Sequence, residues 1–331
     1  MSTLDIHGYD AEDAAAARAA MEIFNASSAV DAPWEHPWLP ELFQGFVRRG
    51  WDGEAPAPYL ATLDGEPVAT ALLHTSERDN THLAWLWMAV RPDHRRRGHG
   101  STVLERMVEE ARSRGRTSLG ADGWESERTL AFAARHGLEK KSQAIMRRQH
   151  LQELEPHLLQ KLYDEAAPHA VDYELVRIAG RTPPELAEAM AELMSAINDA
   201  PTDDLDIEDE VFTAERLADY ETSSIERGNR LYRLVARHRQ TGALGGHTVV
   251  AVDEYRPQYA DQHDTAVARD HRGHRLGLLL KAAMLQWLAE VEPQVETVDT
   301  WNAESNDHMI AVNEQLGYRV MGRELQFQRS I

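Results

Sequence analysis

The sequence predicts an α/β (α+β) protein that contains one domain twice, and three observations indicate this. Helix-like and strand-like stretches alternate along all 331 residues. A turn rich in arginine and glycine occurs once in each half, as HRRRGHG from residue 94 and as HRGHRLG from residue 271. The two turns keep a fixed spacing, because Arg95 and Arg272 are 177 residues apart.

Four further features recur at nearly the same offset: a turn dipeptide typical of hairpins, an aspartate, a tryptophan and a late glycine. They are Asp64-Gly65 with Thr241-Gly242, Asp122 with Asp299, Trp124 with Trp301, and Gly137 with Gly317. A period of this length is too long for a solenoid. We therefore predict a tandem duplication with domains over residues 1–150 and 171–331, joined by a helical connector over 151–170.

The sequences of the two copies predict the same order of secondary-structure elements. Two helical stretches come first, AEDAAAARAAMEIF and HPWLPELFQGFVRRG in copy one, PPELAEAMAELMSAIND and TAERLADYETSSIERG in copy two. A hairpin, a strand and the glycine-arginine turn follow. The next helix has apolar residues at helical spacing from Val103 to Ala111 and is expected to stop at Gly115. A strand and a short helix close each copy.

Composition excludes several classes of function. The formal charge is −20, so the average surface repels nucleic acid and anionic membrane and attracts small cations. The chain has no cysteine, which excludes disulfides, thiolate metal sites and a cysteine nucleophile, and we predict no metal site. It has no apolar run of the roughly 18 residues that a membrane span needs and no basic leader, so we expect a cytoplasmic protein.

The repeated turn is suited to an anion. The first turn of a helix leaves backbone N–H groups without partners and carries partial positive charge. Phosphate oxygens satisfy both, glycine lets the backbone approach closely, and arginine adds charge-assisted contacts. The turn lacks the Gly-Lys-Ser/Thr of a Walker loop and the GxGxxG of a dinucleotide site. It therefore predicts a phosphate or pyrophosphate site, or else a solvated arginine-rich loop.

The stretch from Val90 to Gly100 resembles the acetyl-CoA motif of the GCN5-related N-acetyltransferases (GNAT), which is Arg/Gln-x-x-Gly-x-Gly/Ala after a strand that ends in valine. The stretch from Thr265 to Gly277 resembles the same motif, except that Arg275 stands where the family usually has glycine. The segment MIAVNEQLGY is similar to the last helix of that family. The two-copy layout is similar to that of mycothiol synthase, another family member.

The resemblance implies a mixed, mostly antiparallel sheet flanked by helices in each copy, with acetyl-CoA as the coenzyme. The pantetheine arm would lie against the strand that precedes each turn, and the pyrophosphate against the backbone amides of the turn. The strand residues are Met88, Ala89 and Val90 in copy one and Thr265, Ala266 and Val267 in copy two. The turn residues are Arg95, Arg96, Arg97, Gly98, His99, Gly100 and Ser101, and Arg272, Gly273, His274, Arg275, Leu276 and Gly277. Asn302 and Asn306 resemble cofactor contacts near the strand–helix junction, although Asn306 is equally suited to cap a helix.

The catalytic residues are less well defined. The family often protonates the leaving thiolate with a tyrosine, but the matching positions here are Ala133 and Asn313. Attack needs a neutral amine and hence a base. Counting back in twos from Val267 places Thr265, His263 and Asp261 on one face of a strand, unless a bulge changes the alternation. We therefore take His263 and Asp261 as candidate catalytic residues and His263 as the candidate base, or else as a structural histidine.

The resemblance implies acetyl transfer from acetyl-CoA to a primary amine, directly in a ternary complex. The acceptor would enter over the loop between the first two helices of a copy. That loop is acidic in copy two, residues 199–212, and holds Trp34 and Trp38 in copy one. We therefore expect a small, cationic amine as the partner, no nucleic acid and no membrane, and a monomer (a pseudo-dimer) or a homodimer. The alternatives are a non-catalytic CoA-binding sensor or scaffold and a protein lysine acetyltransferase.

Overall fold

The computed structural model describes residues 4–331, which form nine α-helices and twelve β-strands. The helices are α1 (Ala14–Asp31), α2 (Pro40–Arg49), α3 (His99–Ser113), α4 (Glu127–Arg135), α5 (Leu158–Ala166), α6 (Ala187–Met194), α7 (Ala214–Glu226), α8 (Leu276–Val291) and α9 (Asp307–Gln315). The strands are β1 (Leu4–Gly8), β2 (Ala57–Leu63), β3 (Glu66–Thr75), β4 (Leu83–Val90), β5 (Ser118–Trp124), β6 (Glu139–His150), β7 (Tyr173–Ala179), β8 (Asn229–His238), β9 (Leu244–Asp253), β10 (Tyr259–Val267), β11 (Thr297–Ala303) and β12 (Arg319–Ser330).

The chain divides into two compact units. Unit 1 contains the chain up to Ala144, together with Thr202–Asp209 and Gly322–Ile331. Unit 2 contains Ile145–Pro201 and Glu210–Met321. Each unit is thus built mainly from one copy of the repeat, with a segment contributed by the other copy.

Each unit has a mixed, mostly antiparallel sheet. The strand order is β1-β2-β3-β4-β5-β12 in unit 1 and β6-β11-β10-β9-β8-β7 in unit 2. The pairs β4–β5 and β10–β11 are parallel, whereas β1–β2, β2–β3, β3–β4 and β5–β12 in unit 1 and β7–β8, β8–β9 and β9–β10 in unit 2 are antiparallel. The predicted fold class is therefore confirmed.

The last strand of the chain belongs to the first unit. From Glu324 to Ser330, β12 pairs with β5 in unbroken antiparallel register, with Glu324 opposite Trp124 and Ser330 opposite Ser118. Conversely, the end of β6, from Ile145 onward, belongs to unit 2. The sheet of unit 1 is therefore completed by residues that lie at the far end of the sequence.

Two apolar clusters sandwich the sheet of unit 1. One packs α3 against the sheet through residues such as Leu104 and Met107, and the other packs α1 and α2 against the opposite face through residues such as Phe43 and Val47. Unit 2 repeats this arrangement, with α8 and the connector helix α5 on one face and α6 and α7 on the other. Burial of these faces, at roughly 25 cal/mol per Å² of apolar surface, is the main force that holds helices on sheets.

Most predicted elements are confirmed. The helical stretches of both copies, the connector helix and the hairpins are present, and α3 ends two residues before Gly115, which has the expected positive φ of 75°. The strands β1 and β7 and the long closing strands β6 and β12 were not predicted from the sequence. Within residues 4–331 no helix is long and apolar enough to cross a membrane.

Candidate functional site

Each sheet opens between its two parallel strands. In unit 1 the parallel pairing of β4 with β5 stops at Leu86 opposite Ala121, four residues before β4 ends. In unit 2 the pairing of β10 with β11 stops at Asp261 opposite Asp299, six residues before β10 ends. The predicted strand contacts, residues 88–90 and 265–267, thus lie beyond the paired segment, where β4 and β10 are free on that side to pair with an extended ligand.

The glycine-arginine turns lie between these strands and the next helices. Gly98 and Arg275 precede α3 and α8 as N-caps in left-handed conformation, and neither helix has a side-chain cap. Each turn has a second left-handed residue, Arg96 in unit 1 and Gly273 in unit 2. Glycine and arginine have therefore exchanged places between the two turns, and the uncapped amides of both helices are suited to a pyrophosphate.

The first arginine of each motif is already bound within its own unit. The guanidinium of Arg95 donates to the carbonyl of Val90 and to the carboxylate of Asp31, with Nη2–Oδ2 at 2.7 Å. Arg272 repeats this arrangement, donating to Val267 and to Asp199 with Nη2–Oδ2 at 2.6 Å. These arginines therefore fix the end of a strand to the end of a helical segment, and the remaining turn residues are left to meet an anion.

The other predicted contacts differ between the units. In unit 1, Ser101 lies 2.9 Å from the imidazole of His136, and a Cβ on Gly100 would lie 3.3 Å from the ring of Phe132. A Cβ on Gly277 of unit 2 would meet nothing within 4 Å, so its groove is more open at this point. His274 and Arg275 contact carbonyl groups of the connector, those of His169 and Glu165.

Strand β10 contains a bulge that corrects one prediction. Gln262 pairs with Val250 but Thr265 pairs with Thr248, so β10 has one residue more than β9 in this stretch. The expectation that Asp261 and His263 share a face with Thr265 and Val267 is wrong, because the extra residue reverses the alternation. In unit 1 the register of β4 is regular, and the alternate apolar residues from Ala84 to Val90 share the face that packs against α3.

The two candidate catalytic residues of unit 2 have different surroundings. The Nδ1 atom of His263 lies 2.6 Å from the hydroxyl of Tyr220 on α7. Burial, followed by the guanidinium groups of Arg227 and Arg233, lowers the pKa of His263 to about 3, which makes it a weak base. Loss of hydration, followed by the carboxylates of Asp299 and Asp253, raises the pKa of Asp261 above its usual value, although the residue is exposed at the surface.

Unit 1 contains an acidic site that the sequence analysis did not identify. One oxygen of Asp122 on β5 accepts hydrogen bonds from two indoles of β4, at 2.5 Å from Trp85 Nε1 and 3.0 Å from Trp87 Nε1. Burial raises the pKa of Asp122 to about 6, although these two donors and Gln326 act in the opposite direction. These are neutral donors, and no lysine or arginine of the described chain pairs with this carboxylate.

Glu324 lies beside Asp122. It is on β12, one of the two closing strands, β12 and β6, that the copies exchange between the units. Burial, followed by the carboxylates of Asp122 and Glu35, raises the pKa of Glu324 well above its usual value. The walls are tryptophans: Trp124 lies opposite Glu324 in the sheet, and its ring meets that of Trp34 edge-on at 5.3 Å. The half-buried site therefore combines aromatic rings with two carboxylates, Asp122 and Glu324, that have no cationic partner among residues 4–331, as a site for a cation does.

In unit 2 the charge of the corresponding aspartate, Asp299, is neutralised by an arginine. Asp299 occupies the place of Asp122, and Arg148 of the exchanged strand β6 binds it with two hydrogen bonds of 2.6 Å. Both side chains are buried, at 8% and 5% exposed. A bidentate guanidinium–carboxylate pair fills the acceptor capacity of Asp299, so no further cation is needed there.

The acidic loop of copy two is also largely occupied. Its central part belongs to unit 1, where Asp203 accepts from Ser142 at 2.6 Å and Glu208 accepts from the backbone of Asn80 at 3.0 Å. Asp199 pairs with the turn of unit 2, as described above, and Glu210 pairs with Arg216 at 2.9 Å. These carboxylates hold parts of the chain together, and this favours a structural role for the loop over a role in attracting the acceptor.

The asparagines near α9 have distinct positions. Asn306 is the N-cap of α9, and its Oδ1 accepts from the amide of Met309 at 3.2 Å. Asn302, near the end of β11, accepts from the side chain of Asn313 at 2.7 Å. Among residues 4–331 no group of three or more histidine, aspartate or glutamate side chains is arranged to hold a metal ion.

Two signals could have found the acidic site. Trp85 and Trp87 alternate along β4 on the face opposite Leu86 and Met88, and Asp122 recurs as Asp299 at the spacing of the repeat. Glu324 gave no signal, because its strand is 200 residues away in sequence from β5. Its place in the site depends on the exchange of closing strands.

Comparisons with known proteins agree with this geometry. The model of the acetyltransferase (GNAT) family matches residues 18–138 and 192–318. A tandem GNAT protein from the clavulanic acid biosynthesis pathway is similar at 28% identity and a TM-score of 0.83, with 99% of this chain and 98% of that one covered. A GCN5-related N-acetyltransferase from Sphaerobacter thermophilus is similar at 16% identity and a TM-score of 0.69, with 99% and 95% covered. No curated protein matches the sequence.

The fold and the paired turns define a tandem acyltransferase. The chain belongs to the GNAT acetyltransferase family, and it carries the family's domain twice. The family resemblance predicted from the two turns is therefore confirmed. The specific likeness to mycothiol synthase stays a prediction.

Proposed function

We propose that the protein is an N-acetyltransferase that moves the acetyl group of acetyl-CoA to a primary amine of a small cationic molecule, and that the transfer takes place in unit 1. The observation that carries this proposal is the Asp122–Glu324 pair, enclosed by tryptophans and lacking a cationic partner among the described residues. An amine that arrives as an ammonium ion would supply the missing charge.

The two carboxylates are suited to different tasks. Asp122 accepts two indole N–H bonds, which stabilise its charged form, so it serves as the anchor for a cation. Glu324 has two like charges beside it, which raise its pKa, and accepts no such indole bonds within the described chain, so it is the better proton acceptor. Two carboxylates in different surroundings can divide into an anchor and a base. Glu324 would take the proton from the bound ammonium and leave the amine free to attack.

Direct transfer fits the two faces of the sheet. The turn and α3 lie on the face that carries Leu86 and Met88, whereas Asp122 and the indoles of Trp85 and Trp87 lie on the other. Acetyl-CoA supplies an activated thioester, with its pyrophosphate at the turn and its arm along residues 88–90. The gap between β4 and β5 connects the two faces, so the amine meets the thioester there. The chain has no cysteine for a covalent relay.

Unit 2 has a coenzyme turn of its own, and we propose that it binds the coenzyme without taking the same acceptor. The pairing of Asp299 with Arg148 supports this. His263 and Asp261 remain predicted catalytic residues of unit 2, favoured by their position at the opening between β10 and β11. Loss of turnover in His263→Ala and Asp261→Asn, with Glu324→Gln fully active, would move the reaction to unit 2.

The test is an assay of CoA release against a panel of amines. A thiol reagent gives a clean signal, because a protein without cysteine adds no thiol of its own. The panel contains polyamines, amino sugars, a lysine peptide and a neutral amine of equal size. We expect turnover with small cations and little with the neutral amine.

The other functions predict different results. Preference for the lysine peptide would support a protein acetyltransferase. Tight binding of acetyl-CoA with no turnover on any amine would support a sensor or scaffold. The similarity to a tandem GNAT protein from the clavulanic acid biosynthesis pathway, at 28% identity, favours a small-molecule acceptor.

A further inference from the structure

One buried lysine in unit 2 has no role in the fold or in the proposed transfer. Lys281 lies on α8 within an apolar cluster of leucines and is 1% exposed. Its Nζ donates to Oδ1 of Asn313 at 2.7 Å and lies 4.9 Å from the centre of the Tyr318 ring. Among residues 4–331 no carboxylate pairs with it, and burial lowers its pKa to about 7. An isolated amine in an apolar core is destabilising, so its presence calls for a function.

The fold itself does not require this lysine. The corresponding position in unit 1 is Leu104, which is buried in the apolar cluster beneath α3, and the partner position is Ala133. The same helix thus packs on the same kind of sheet with two apolar residues. The polar pair is an addition that unit 2 alone carries.

The lysine determines which way two amides point. An ammonium or amine N–H donates, so it must meet the oxygen of Asn313 and not its NH₂ group. The Nδ2 atom of Asn313 then faces the other way and donates to Oδ1 of Asn302 at 2.7 Å. With its oxygen occupied, Asn302 keeps its own Nδ2 group as a donor, and this group makes no hydrogen bond within residues 4–331. Lys281 therefore sets the direction of both hydrogen bonds, the one to Asn313 and the one from Asn313 to Asn302.

The series of hydrogen bonds from Lys281 through Asn313 to Asn302 ends at the opening of the sheet. Asn302 lies on β11, three residues past Asp299, where the pairing with β10 stops. It is half-buried, whereas Asn313 is fully buried. The turn at the N-terminus of α8 follows β10, the strand whose pairing with β11 stops at this opening, and a Cβ on Gly277 of the turn would meet nothing within 4 Å. A ligand that is held by its phosphates at the turn would therefore extend past Asn302.

We propose that Lys281, Asn313 and Asn302 form a positioning chain that presents an N–H donor to a carbonyl of the pantetheine arm in unit 2. The inference rests on the proposed coenzyme site of unit 2 and is independent of the reaction in unit 1. Lys281 is a positioning residue, since it acts through Asn313 and Asn302. The contact with the pantetheine arm in unit 2 would therefore differ from that in unit 1, where Glu125 takes the place of Asn302.

The test compares two ligands by calorimetry on the full chain. CoA has the arm, whereas 3′-phosphoadenosine 5′-diphosphate keeps the nucleotide and the pyrophosphate but lacks it. Gly98→Val removes the site of unit 1, so the remaining binding reports unit 2. In that background we expect Lys281→Met to weaken CoA about tenfold, the size of one lost hydrogen bond, and to leave the shorter ligand unchanged. Asn302→Ala should give the same pattern.

The controls separate positioning from structure. Leu104→Met changes the matching position of unit 1 and should alter neither ligand. The melting temperature of Lys281→Met should stay close to that of the parent, because the removal of a buried amine offsets the loss of the donor to Oδ1 of Asn313. Equal weakening of both ligands, no change in either, or no coenzyme bound by the Gly98→Val protein would each overturn the proposal. Loss of amine turnover in unit 1 is measured separately, through Glu324→Gln, and has no bearing on this result.

Discussion

The two units place the same aspartate on the same strand and surround it differently. In unit 1, Asp122 accepts hydrogen bonds from two indoles and lies beside Glu324, so negative charge is left to be matched. In unit 2, Asp299 is held by both N–H groups of Arg148. The strand that brings the deciding partner is the exchanged one in each case. Duplication has kept the scaffold, and the exchanged strands have given the two halves different chemistry.

The turns show a second difference of the same kind. Both turns need two left-handed residues, which glycine adopts at little cost and arginine adopts at about 1 kcal/mol. Unit 1 places glycine at the helix N-cap and unit 2 places it two residues earlier. The backbone nearest the helix mouth is therefore less hindered in unit 1. This favours unit 1 for close contact with phosphate.

The largest expected effect comes from Glu324→Gln. Removing a general base lowers the rate by about 10²–10⁴-fold, so kcat for the best amine should fall within that range. Coenzyme affinity should not change, because the residue lies on the acceptor face. Glu109→Gln, an exposed change on α3, is the matched control. Activity within twofold of the parent would show that Glu324 is not the general base. The assignment of the transfer to unit 1 would then lose its support.

Gly98→Val should remove coenzyme binding from unit 1. The residue has φ of 91°, where a β-branched side chain is strained by about 1–3 kcal/mol, and the side chain would hold phosphate away from the amides. Titration calorimetry should show the stoichiometry fall by one per chain, with loss of turnover. Unchanged stoichiometry would mean that the turn of unit 1 is not a coenzyme site.

Asp122→Asn should shift the pH profile. Glu324 must be deprotonated to act as a base, so kcat/KM rises with pH through its raised pKa. The charge of Asp122 is one cause of that elevation, and its removal lets Glu324 lose its proton at lower pH. We expect the acidic limb to move down by about one pH unit, together with a higher KM for the cation. If the acidic limb of the pH profile does not move, the charge of Asp122 does not influence the pKa of Glu324.

The smallest effect is expected from Arg275→Gly in unit 2. The change relieves a left-handed arginine and lets the backbone approach phosphate, at the cost of one positive charge. In the Gly98→Val background we expect coenzyme affinity to rise about two- to threefold, measured by calorimetry. Weaker binding would show that the charge of Arg275 matters more than backbone access.

Local pattern was enough to predict much of this protein. The repeated turn, the hairpin dipeptides and the helical periodicity of residues such as Val103 and Met107 depend on neighbours within a few positions. These features predicted the duplication, the family, the fold class and the place of both coenzyme turns. They depend on backbone conformation and amphipathic faces, which short stretches of sequence encode directly.

Tertiary structure decided the rest. The bulge at His263 reversed a face that counting in twos had assigned, because register depends on the partner strand β9. The partners of Asp122 and Asp299 come from β12 and β6, strands that no local signal connects to them. Asp122 and Glu324 are 202 positions apart and Arg148 and Asp299 are 151 apart, so spacing along the sequence cannot reveal these pairs, and only the fold brings the side chains together. The sequence thus determined where the two glycine-arginine turns lie, and the exchanged strands determined which of the two aspartates is paired with an arginine.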